Sequence, residues 1–315
     1  MFRYNKDELS QKANDLNFIR DTLEKVLRLV DVLAYLNSNP LTRQTLALKG
    51  GTAINLIIFS LPRLSVDIDL DYSENHSREE MMEKRQQITT DIKIYMTTQG
   101  YNWSDNSKSR HSLDSLVFTY ENFGGRKDNI KIEINYSLRS HIFEPTSRAF
   151  VTDIIQTRQT VYSVAPCEIF AGKINALISR AAARDLYDVY NMIRSNLFKT
   201  SEYELLRKSV VFYTAISQKD VCLDYSAKRI DSISFHKIKT DLLPVIQKGE
   251  MIVLDKMKEE TKSYISNLMA LSDDEKEFLQ SFSKKEYKPE LLFEDDEIIK
   301  RIKNHPMALW KMQHD

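Results

Sequence analysis

Two adjacent glycines and three alternating acids lie within one stretch, Lys49–Tyr72, which reads KGGTAINLIIFSLPRLSVDIDLDY. In its second half, Asp67, Asp69 and Asp71 alternate with apolar residues. This alternation predicts a strand over Leu64–Tyr72 with its acids on one face. Carboxylates two residues apart on a rigid strand suit a divalent cation, because such cations prefer several oxygen ligands. The stretch therefore predicts a metal site on one face of a sheet.

The residues before this strand predict an anion-binding turn. Gly50, Gly51 and Thr52 allow a ligand to approach the backbone closely and present N–H groups to it. A helix over Thr52–Phe59 is expected to leave the turn with its N-terminus directed at phosphates. Acids at alternate positions alone would more often be a solvated strand face. The glycine turn in front of them favours nucleotide chemistry.

Composition narrows the class of protein further. The chain has 315 residues, with 45 Lys plus Arg and 45 Asp plus Glu, so net charge gives no general attraction to nucleic acid. Cys167 and Cys222 are too few for a disulfide framework, and we expect both to be reduced and buried in a cytoplasmic protein. The polar N-terminus does not resemble a signal peptide, and the apolar run Ile54–Leu61 is too short to span a membrane.

Periodicity predicts the other elements. Apolar spacing of three and four residues predicts helices over about Asp7–Asn37 and over Arg78–Gln99, with Leu41–Leu48 as a connection into the glycine turn. Beyond about Asn196 the chain is expected to be mostly helical. Strands are predicted at Leu116–Tyr120, Asn129–Tyr136 and Thr160–Ala165.

The motif K-G-G-T-A followed by R-x-S-x-D-I-D-L resembles the AbiEii/MenT nucleotidyltransferase-like toxins of type IV toxin–antitoxin systems, within the polymerase-β-type nucleotidyltransferase superfamily. Two later motifs are similar to this family as well: K-x-x-A-L-x-x-R with R-D-L-Y-D, and N-H-P-M-A-L-W-K near the C-terminus. The resemblance implies that the glycine turn holds a triphosphate and that the D-x-D pair binds catalytic Mg²⁺ or Mn²⁺.

The strand Asn129–Tyr136 is expected to supply a third carboxylate. Its isoleucines alternate with Lys131, Glu133 and Asn135, so one face is apolar and the other carries Glu133. The superfamily uses a third acid on a neighbouring strand, which makes Glu133 the candidate. An ordinary solvated strand face, with Lys131 and Glu133 as common polar residues, is the alternative, and both interpretations stay open.

A predicted helix, Pro166–Ala182, carries the second informative motif. Lys173, Arg180 and Arg184 are spaced seven and four residues apart, which places them along one stripe, and Asp188 continues it if the helix is unbroken. The resemblance assigns function to Lys173 and Asp185. Lys173 would contact nucleotide phosphates, and Asp185 would orient that lysine or act as a base. On spacing alone, an amphipathic helix with snorkelling cations is the simpler interpretation.

Together these features predict an α+β fold, with a small mixed β-sheet nucleotidyltransferase core flanked by helices and a mostly helical C-terminal region. We expect a bilobed chain, with residues 1–160 as the nucleotidyltransferase-like lobe and residues 161–315 contributing Lys173 and Asp185 to a cleft. In the C-terminal motif, Met307, Leu309 and Trp310 are expected to pack onto the body of the protein. His305 is given no catalytic role.

The resemblance implies a metal-dependent nucleotidyltransferase toxin that transfers a nucleotide from NTP to RNA, with the tRNA 3′ end as the candidate acceptor. It also implies growth inhibition or abortive infection, and a separately encoded winged-helix antitoxin. The predicted catalytic residues are Asp67, Asp69, Lys173 and Asp185. The predicted metal ligands are Asp67, Asp69 and Glu133. The predicted phosphate-binding residues are Lys49, Gly50, Gly51, Thr52, Arg63, Ser65 and Lys173.

Two other functions are compatible with the same residues. One is a kinase-like modification of a protein hydroxyl, since a phosphate-binding turn and metal-binding acids would serve either reaction. The other is a catalytically silent module that binds RNA or a protein partner. A locally basic run supplies candidates for RNA contact, although most such residues are usually solvated. These candidates are Arg180, Arg184, Arg194, Lys199, Arg207 and Lys208.

Overall fold

The computed structural model describes residues 4–152, 160–218 and 225–314, which divide into two compact units. The first unit comprises Met1–Arg139, Pro145–Val164 and Pro244–Glu250. The second unit comprises Ser140–Glu144, Ala165–Leu243 and Met251–Asp315.

The first unit is built on one mixed sheet with the strand order β3-β5-β6-β2-β1-β8-β7, in which β4 also pairs with β5. The pairs β1–β8 and β2–β6 are parallel, and the remaining pairs are antiparallel. The strands are β1 (Leu46–Lys49), β2 (Ile68–Tyr72), β3 (Asn102–Trp103), β4 (Lys108–Ser109), β5 (Leu113–Glu121), β6 (Lys127–Asn135), β7 (Thr146–Ala149) and β8 (Thr160–Ser163).

Two faces of this sheet differ in the way that the sequence alternation predicts. Along β6, Ile130, Ile132 and Ile134 are fully buried, while the residues between them are only partly buried. Ile68 on β2 is also fully buried and lies opposite Ile132. Burial of these apolar side chains, worth about 25 cal/mol per Å², holds the central strands in register. The polar face that remains carries the predicted acids.

Helices of the first unit include one break that periodicity did not predict. The expected helix Asp7–Asn37 is two helices, because Asn17 between them adopts a left-handed conformation with φ of 58°. Asn tolerates this conformation better than most residues. The first helix begins with a capping box in which the side chains of Asn5 and Glu8 each accept a backbone N–H. The helices are α1 (Lys6–Asp15), α2 (Arg20–Ser38), α3 (Gly50–Ala53), continued by the π-helix Ile54–Ile58, and α4 (Arg78–Thr98).

In the part of it that the structure describes, the second unit is mostly helical, as the sequence predicts. Helix α5 packs against α7, and α6 packs against α9. Phe170, Phe212 and Phe278 are fully buried in this unit. The α-helices are α5 (Pro166–Arg180), α6 (Ala183–Arg194), α7 (Tyr203–Ser217), α8 (Phe235–Lys237), α9 (Leu254–Leu268), α10 (Asp273–Ser283), α11 (Asp296–Ile302) and α12 (Pro306–Gln313). The α+β class with a mixed sheet and a helical C-terminal region is therefore confirmed.

The C-terminal helix packs only in part through the predicted residues, of which Met307 is partly buried. Leu309 and Trp310 are 39% and 48% exposed, so the expectation that they dock onto the body is wrong. His305 and Ala308 are fully buried instead. His305 caps α12, because its Nδ1 accepts a hydrogen bond from the backbone N–H of Met307 at 3.2 Å. Its ring packs on Phe212. A structural role for His305 fits these contacts.

The predicted states of the cysteines can be compared only in part. Cys167 is a free, partly buried thiol, and burial raises the pKa of this thiol to about 12. Cys222 lies outside the described residues. Within those residues, we find no helix with the length and apolar character needed to cross a bilayer.

Candidate active site

The glycine turn follows β1 directly and is packed against the acid-bearing segment. Gly50 has φ of +68°, and a Cβ at this position would collide with Oδ2 of Asp69. A Cβ at Gly51 would lie 2.7 Å from Nη2 of Arg63 and 2.9 Å from Oγ of Ser65. These distances are shorter than real Cβ atoms show, so a side chain at Gly50 would displace Asp69 and one at Gly51 would displace Arg63 and Ser65. Only Gly50 also has a φ in the region that favours glycine. The turn and the residues that the sequence pairs with it are therefore neighbours.

The acid-bearing strand begins later than predicted. Strand β2 begins at Ile68 rather than Leu64, so Arg63, Ser65 and Asp67 precede the strand. The expectation that Ser65 and Asp67 continue a strand face is therefore wrong. Local contacts hold the segment instead. The hydroxyl of Thr52 donates to the carbonyl of Asp67. Arg63 is 2% exposed and donates from Nη1 to the carbonyl of Leu64 at 3.0 Å.

Asp69 and Glu133 are brought side by side by the parallel pairing of β2 and β6. Their Cα atoms are register partners, and neighbouring residues in register point to the same face. Asp69 is also the register partner of Lys49 on β1. Asp69 and Glu133, both partly buried, therefore lie together next to the glycine turn.

Lys131 joins these acids, although the sequence interpretation treated it as an ordinary polar residue. Its Nζ lies 2.8 Å from Oε1 of Glu133. Burial lowers the pKa of Lys131, but the hydrogen bond to Glu133 and the charges of Glu133, Asp67 and Asp69 outweigh burial and raise it. Glu133 is thus in direct contact with the ammonium group, and the charges of Asp67 and Asp69 also raise its pKa.

The chemistry of these three acids fits a hard divalent cation. Asp67, Asp69 and Glu133 offer carboxylate oxygens, which Mg²⁺ and Mn²⁺ prefer. The charges of the same acids raise the pKa of Lys131 against the effect of burial, which is the direction expected where acids stabilise a cation. No group of three or more His, Cys, Asp and Glu side chains arranged for metal occurs among the residues that the structure describes. Metal binding by these acids therefore stays a prediction.

Lys49 and Asp71 form an ion pair beside the acid face. Nζ of Lys49 lies 2.5 Å from Oδ1 of Asp71, which is 1% exposed. A buried carboxylate is costly unless it is paired, so Lys49 stabilises Asp71 in this position. Asp71, the third of the alternating acids, is thus held in a buried ion pair, which gives it a structural role. The predicted contact between Lys49 and a phosphate stays a prediction.

In the second unit, Lys173 lies between two buried carboxylates. Its Nζ is 2.9 Å from Oδ1 of Asp185 and 3.0 Å from Oδ2 of Asp188, and each acid is 1% exposed. The lysine itself is only 13% exposed. Burial would raise the pKa of Asp185, but Lys173 and Arg180 outweigh this effect and hold it below its ordinary value. The structure thus brings the two predicted residues into direct contact.

The stripe predicted through this motif does not exist, because the helix is broken. Ala181 adopts a left-handed conformation with φ of 49°, which ends α5 before α6 begins. The break lets Nε of Arg180 reach Oδ2 of Asp185 at 2.8 Å. Asp188 is the residue whose contact the sequence interpretation missed. Its spacing of three from Asp185 would place both acids on one face of a helix, and this was the available signal.

Most of the basic residues proposed for RNA contact have acidic or carbonyl partners in the second unit. Arg207 donates from Nε to buried Glu275 at 2.8 Å, and Lys208 pairs with Glu204 at 2.6 Å. Arg184 donates to the carbonyl of Asp241 at 2.7 Å. These contacts favour structural roles for the residues concerned, and contact with RNA stays a prediction.

The fold of this chain has a counterpart among solved structures. It is similar to that of MenT4, nucleotidyltransferase toxin Rv2826c from Mycobacterium tuberculosis H37Rv, with a TM-score of 0.59 over 98% of this chain and 99% of that chain. The two sequences are 16% identical, so this likeness concerns the fold alone. A comparison with curated proteins finds no match.

Sequence comparison then identifies the family. The family model described as "Nucleotidyl transferase AbiEii toxin, Type IV TA system" matches residues 31–291. The match covers most of the chain and includes both the glycine–acid motif and the Lys173 motif. This chain belongs to the AbiEii family of nucleotidyltransferase toxins of type IV toxin–antitoxin systems. Family membership implies a cognate antitoxin.

Proposed function

We propose that this chain is a metal-dependent enzyme that transfers a nucleotide from NTP to an RNA acceptor, with the 3′ end of tRNA as the leading candidate. The observation that carries the proposal is the assembly of Asp69, Glu133 and the glycine turn around one face of the sheet. That assembly combines carboxylate oxygens that suit a divalent metal with a glycine turn whose backbone a phosphate can approach closely. Phosphoryl chemistry on a triphosphate needs both.

In this proposal an acceptor hydroxyl attacks the α-phosphorus of NTP, the bond to the bridging oxygen breaks, and pyrophosphate leaves. Mg²⁺ or Mn²⁺, when bound by Asp67, Asp69 and Glu133, would neutralise charge on the reacting phosphates. The turn residues Gly50 and Gly51 would offer backbone N–H groups to the remaining phosphates. The hydroxyl proton is transferred to solvent or to a carboxylate near the acceptor.

Other predicted phosphate ligands would complete nucleotide binding. Lys49, Arg63, Ser65 and Thr52 flank or contact the turn, and Lys173 would add a point charge for a phosphate oxygen. Asp185 suits the positioning of Lys173 better than proton abstraction. Its hydrogen bonds with Lys173 and Arg180 stabilise the ionised form, and its low pKa makes it a weak base.

At the cellular level we propose growth inhibition, with abortive infection as the setting. The enzyme would act in the cytoplasm, where NTP and tRNA are present. A separately encoded winged-helix protein would be the antitoxin. These points rest on the family and not on the geometry.

Substituting the paired acids tests the reaction. Asp67→Asn and Asp69→Asn remove one charge each at nearly constant volume, so transfer of nucleotide from labelled NTP to RNA should fall at least about 100-fold. Expression of either variant should no longer slow growth. Asp105→Asn, at an exposed position of the same unit, is the matched control and should retain activity. Full transfer by Asp67→Asn or Asp69→Asn, with the control active, would contradict the proposal.

A further inference from the structure

Lys131 occupies the acidic face on which the proposed metal site lies. It is two residues before Glu133 on β6, so both side chains project from the same side of the strand. Its Nζ is 2.8 Å from Oε1 of Glu133, and the two side chains are 35% and 29% exposed. The pair is thus partly open to solvent, and a change of lysine rotamer can separate it.

The neighbouring strand β2 places Asp69 next to this pair, and Asp67 directly precedes that strand. Glu133 is the register partner of Asp69. Asp67 is adjacent in sequence to Ile68, which is the register partner of Ile132. Both aspartates interact electrostatically with the lysine ammonium. Carboxylates that are close together repel each other, and a single ammonium reduces that repulsion.

We infer that Lys131 is an internal counter-cation that competes with the divalent metal for the acids. Metal entry then requires the ammonium to leave Glu133, because both need the same oxygens and repel each other. The inference deepens the proposed function and rests on it. Its consequence is that metal alone binds weakly to the chain. Metal carried by NTP binds better, since the displaced ammonium can pair with a phosphate oxygen.

Removal of the lysine charge tests the competition directly. Lys131→Met keeps an unbranched apolar stem and deletes the ammonium. Isothermal titration of the full chain with Mn²⁺ alone, without nucleotide, should give a Kd about tenfold lower for Lys131→Met than for the wild type. Lys131→Gln serves as a second variant with a polar end and should also bind Mn²⁺ more tightly.

Lys127→Met is the matched control. Lys127 lies four residues before Lys131 on the same strand and face but at its exposed start, opposite Glu121. Loss of its charge changes the net charge of the protein equally, so a Mn²⁺ affinity within about twofold of wild type is expected because surface charges are screened by solvent and salt. Asp69→Asn in the Lys131→Met background should remove the gained affinity, which locates the bound ion at the acids.

The outcomes separate this inference from the proposed function. Unchanged or weaker Mn²⁺ binding in both Lys131 variants, an equal gain in Lys127→Met, or no Mn²⁺ binding by any of the proteins would overturn it. If transfer still depends on Asp69 in that case, the proposed function stands and only the role of Lys131 fails. If Asp69→Asn retains full transfer, the proposed function itself fails, whatever the titrations give.

Discussion

At Gly50, both the backbone conformation and the neighbouring side chain favour a residue without a Cβ atom. Its φ of +68° lies in the left-handed region, and a Cβ there would meet the carboxylate of Asp69. Alanine at this position would be strained and would also push away a predicted metal ligand. The glycine therefore links the shape of the turn to the position of the acid.

Gly50→Ala is expected to lower the free energy of unfolding by about 1–3 kcal/mol through the unfavourable φ and the displaced Asp69. Nucleotide transfer should fall with it. Gly125→Ala is the control, because Gly125 has φ of +73° but nothing within 4 Å of an added Cβ. The free energy of unfolding of this variant should fall only by the backbone cost of about 1 kcal/mol, and its activity should be kept. Urea denaturation and the transfer assay measure both quantities, and equal activity of the two variants would contradict the close contact.

At the scale of residues, the sequence identified side chains whose spacing is local. Asp69 and Gly50 could be predicted because their motif is contiguous and the chemistry of glycine and of carboxylates is distinctive. Lys131 could not be assigned to the site, because its role depends on which strand lies beside β6. Asp71 likewise had no visible partner until β1 placed Lys49 against it. Ion pairs across strands depend on register, which a single sequence does not specify.

Among the elements, long amphipathic helices were predictable and their breaks were not. Helix α4 was expected at Arg78–Gln99 and is observed at Arg78–Thr98. In contrast, α5 ends at Arg180 because Ala181 turns left-handed, although alanine is a strong helix former. Strand β1 was not predicted, since its four residues are too few to show alternation. Tertiary contacts decide such short or broken elements.

The ion pairs across the α5–α6 break should make stability depend on pH. Lys173 and Arg180 lower the pKa of Asp185 in the folded state from its ordinary 3.8. A lowered folded-state pKa gives stabilisation that is complete above the unfolded-state value and is lost as pH falls toward the folded-state value. Asp185→Asn should therefore be less stable by about 3 kcal/mol at pH 7. The difference from wild type should shrink as pH falls below about 4.

Urea denaturation at several pH values between 7 and 3 measures this difference. Asp231→Asn is the control, because Asp231 pairs with Lys262 at 2.6 Å but is 58% exposed. An exposed pair contributes little, so this variant should remain close to wild type throughout. A difference for Asp185→Asn that stays constant with pH would show that the charge of Asp185 is not what stabilises the fold.

At the scale of the whole molecule, each of the two units includes a short chain segment that is separated in sequence from the rest of that unit. Pro244–Glu250 belongs to the first unit, where the carbonyl of Val245 accepts the amide of Leu64 at 2.6 Å. The amide of Lys248 similarly donates to the carbonyl of Asn17 at 2.6 Å. Ser140–Glu144 belongs to the second unit, where Glu168 accepts the amides of Ile142 and Phe143. Periodicity and composition carry no information about such long-range backbone pairing.

What the whole chain does is tested most directly by following the label of its nucleotide substrate. The purified full-length protein is incubated with RNA, Mg²⁺ and each NTP in turn, labelled either at the α- or at the γ-phosphate. Nucleotidyl transfer keeps the α-phosphate on the product and releases the other two as pyrophosphate. Phosphorylation of a protein hydroxyl would instead transfer the γ-phosphate.

We predict that α-label appears on RNA with at least one NTP, that γ-label appears on neither RNA nor protein, and that Asp69→Asn abolishes the α-label. Transfer of γ-label to protein would support the kinase-like alternative and contradict nucleotidyl transfer. The absence of any transferred label with all NTPs would favour a catalytically silent binding protein. Either of these results would contradict the account.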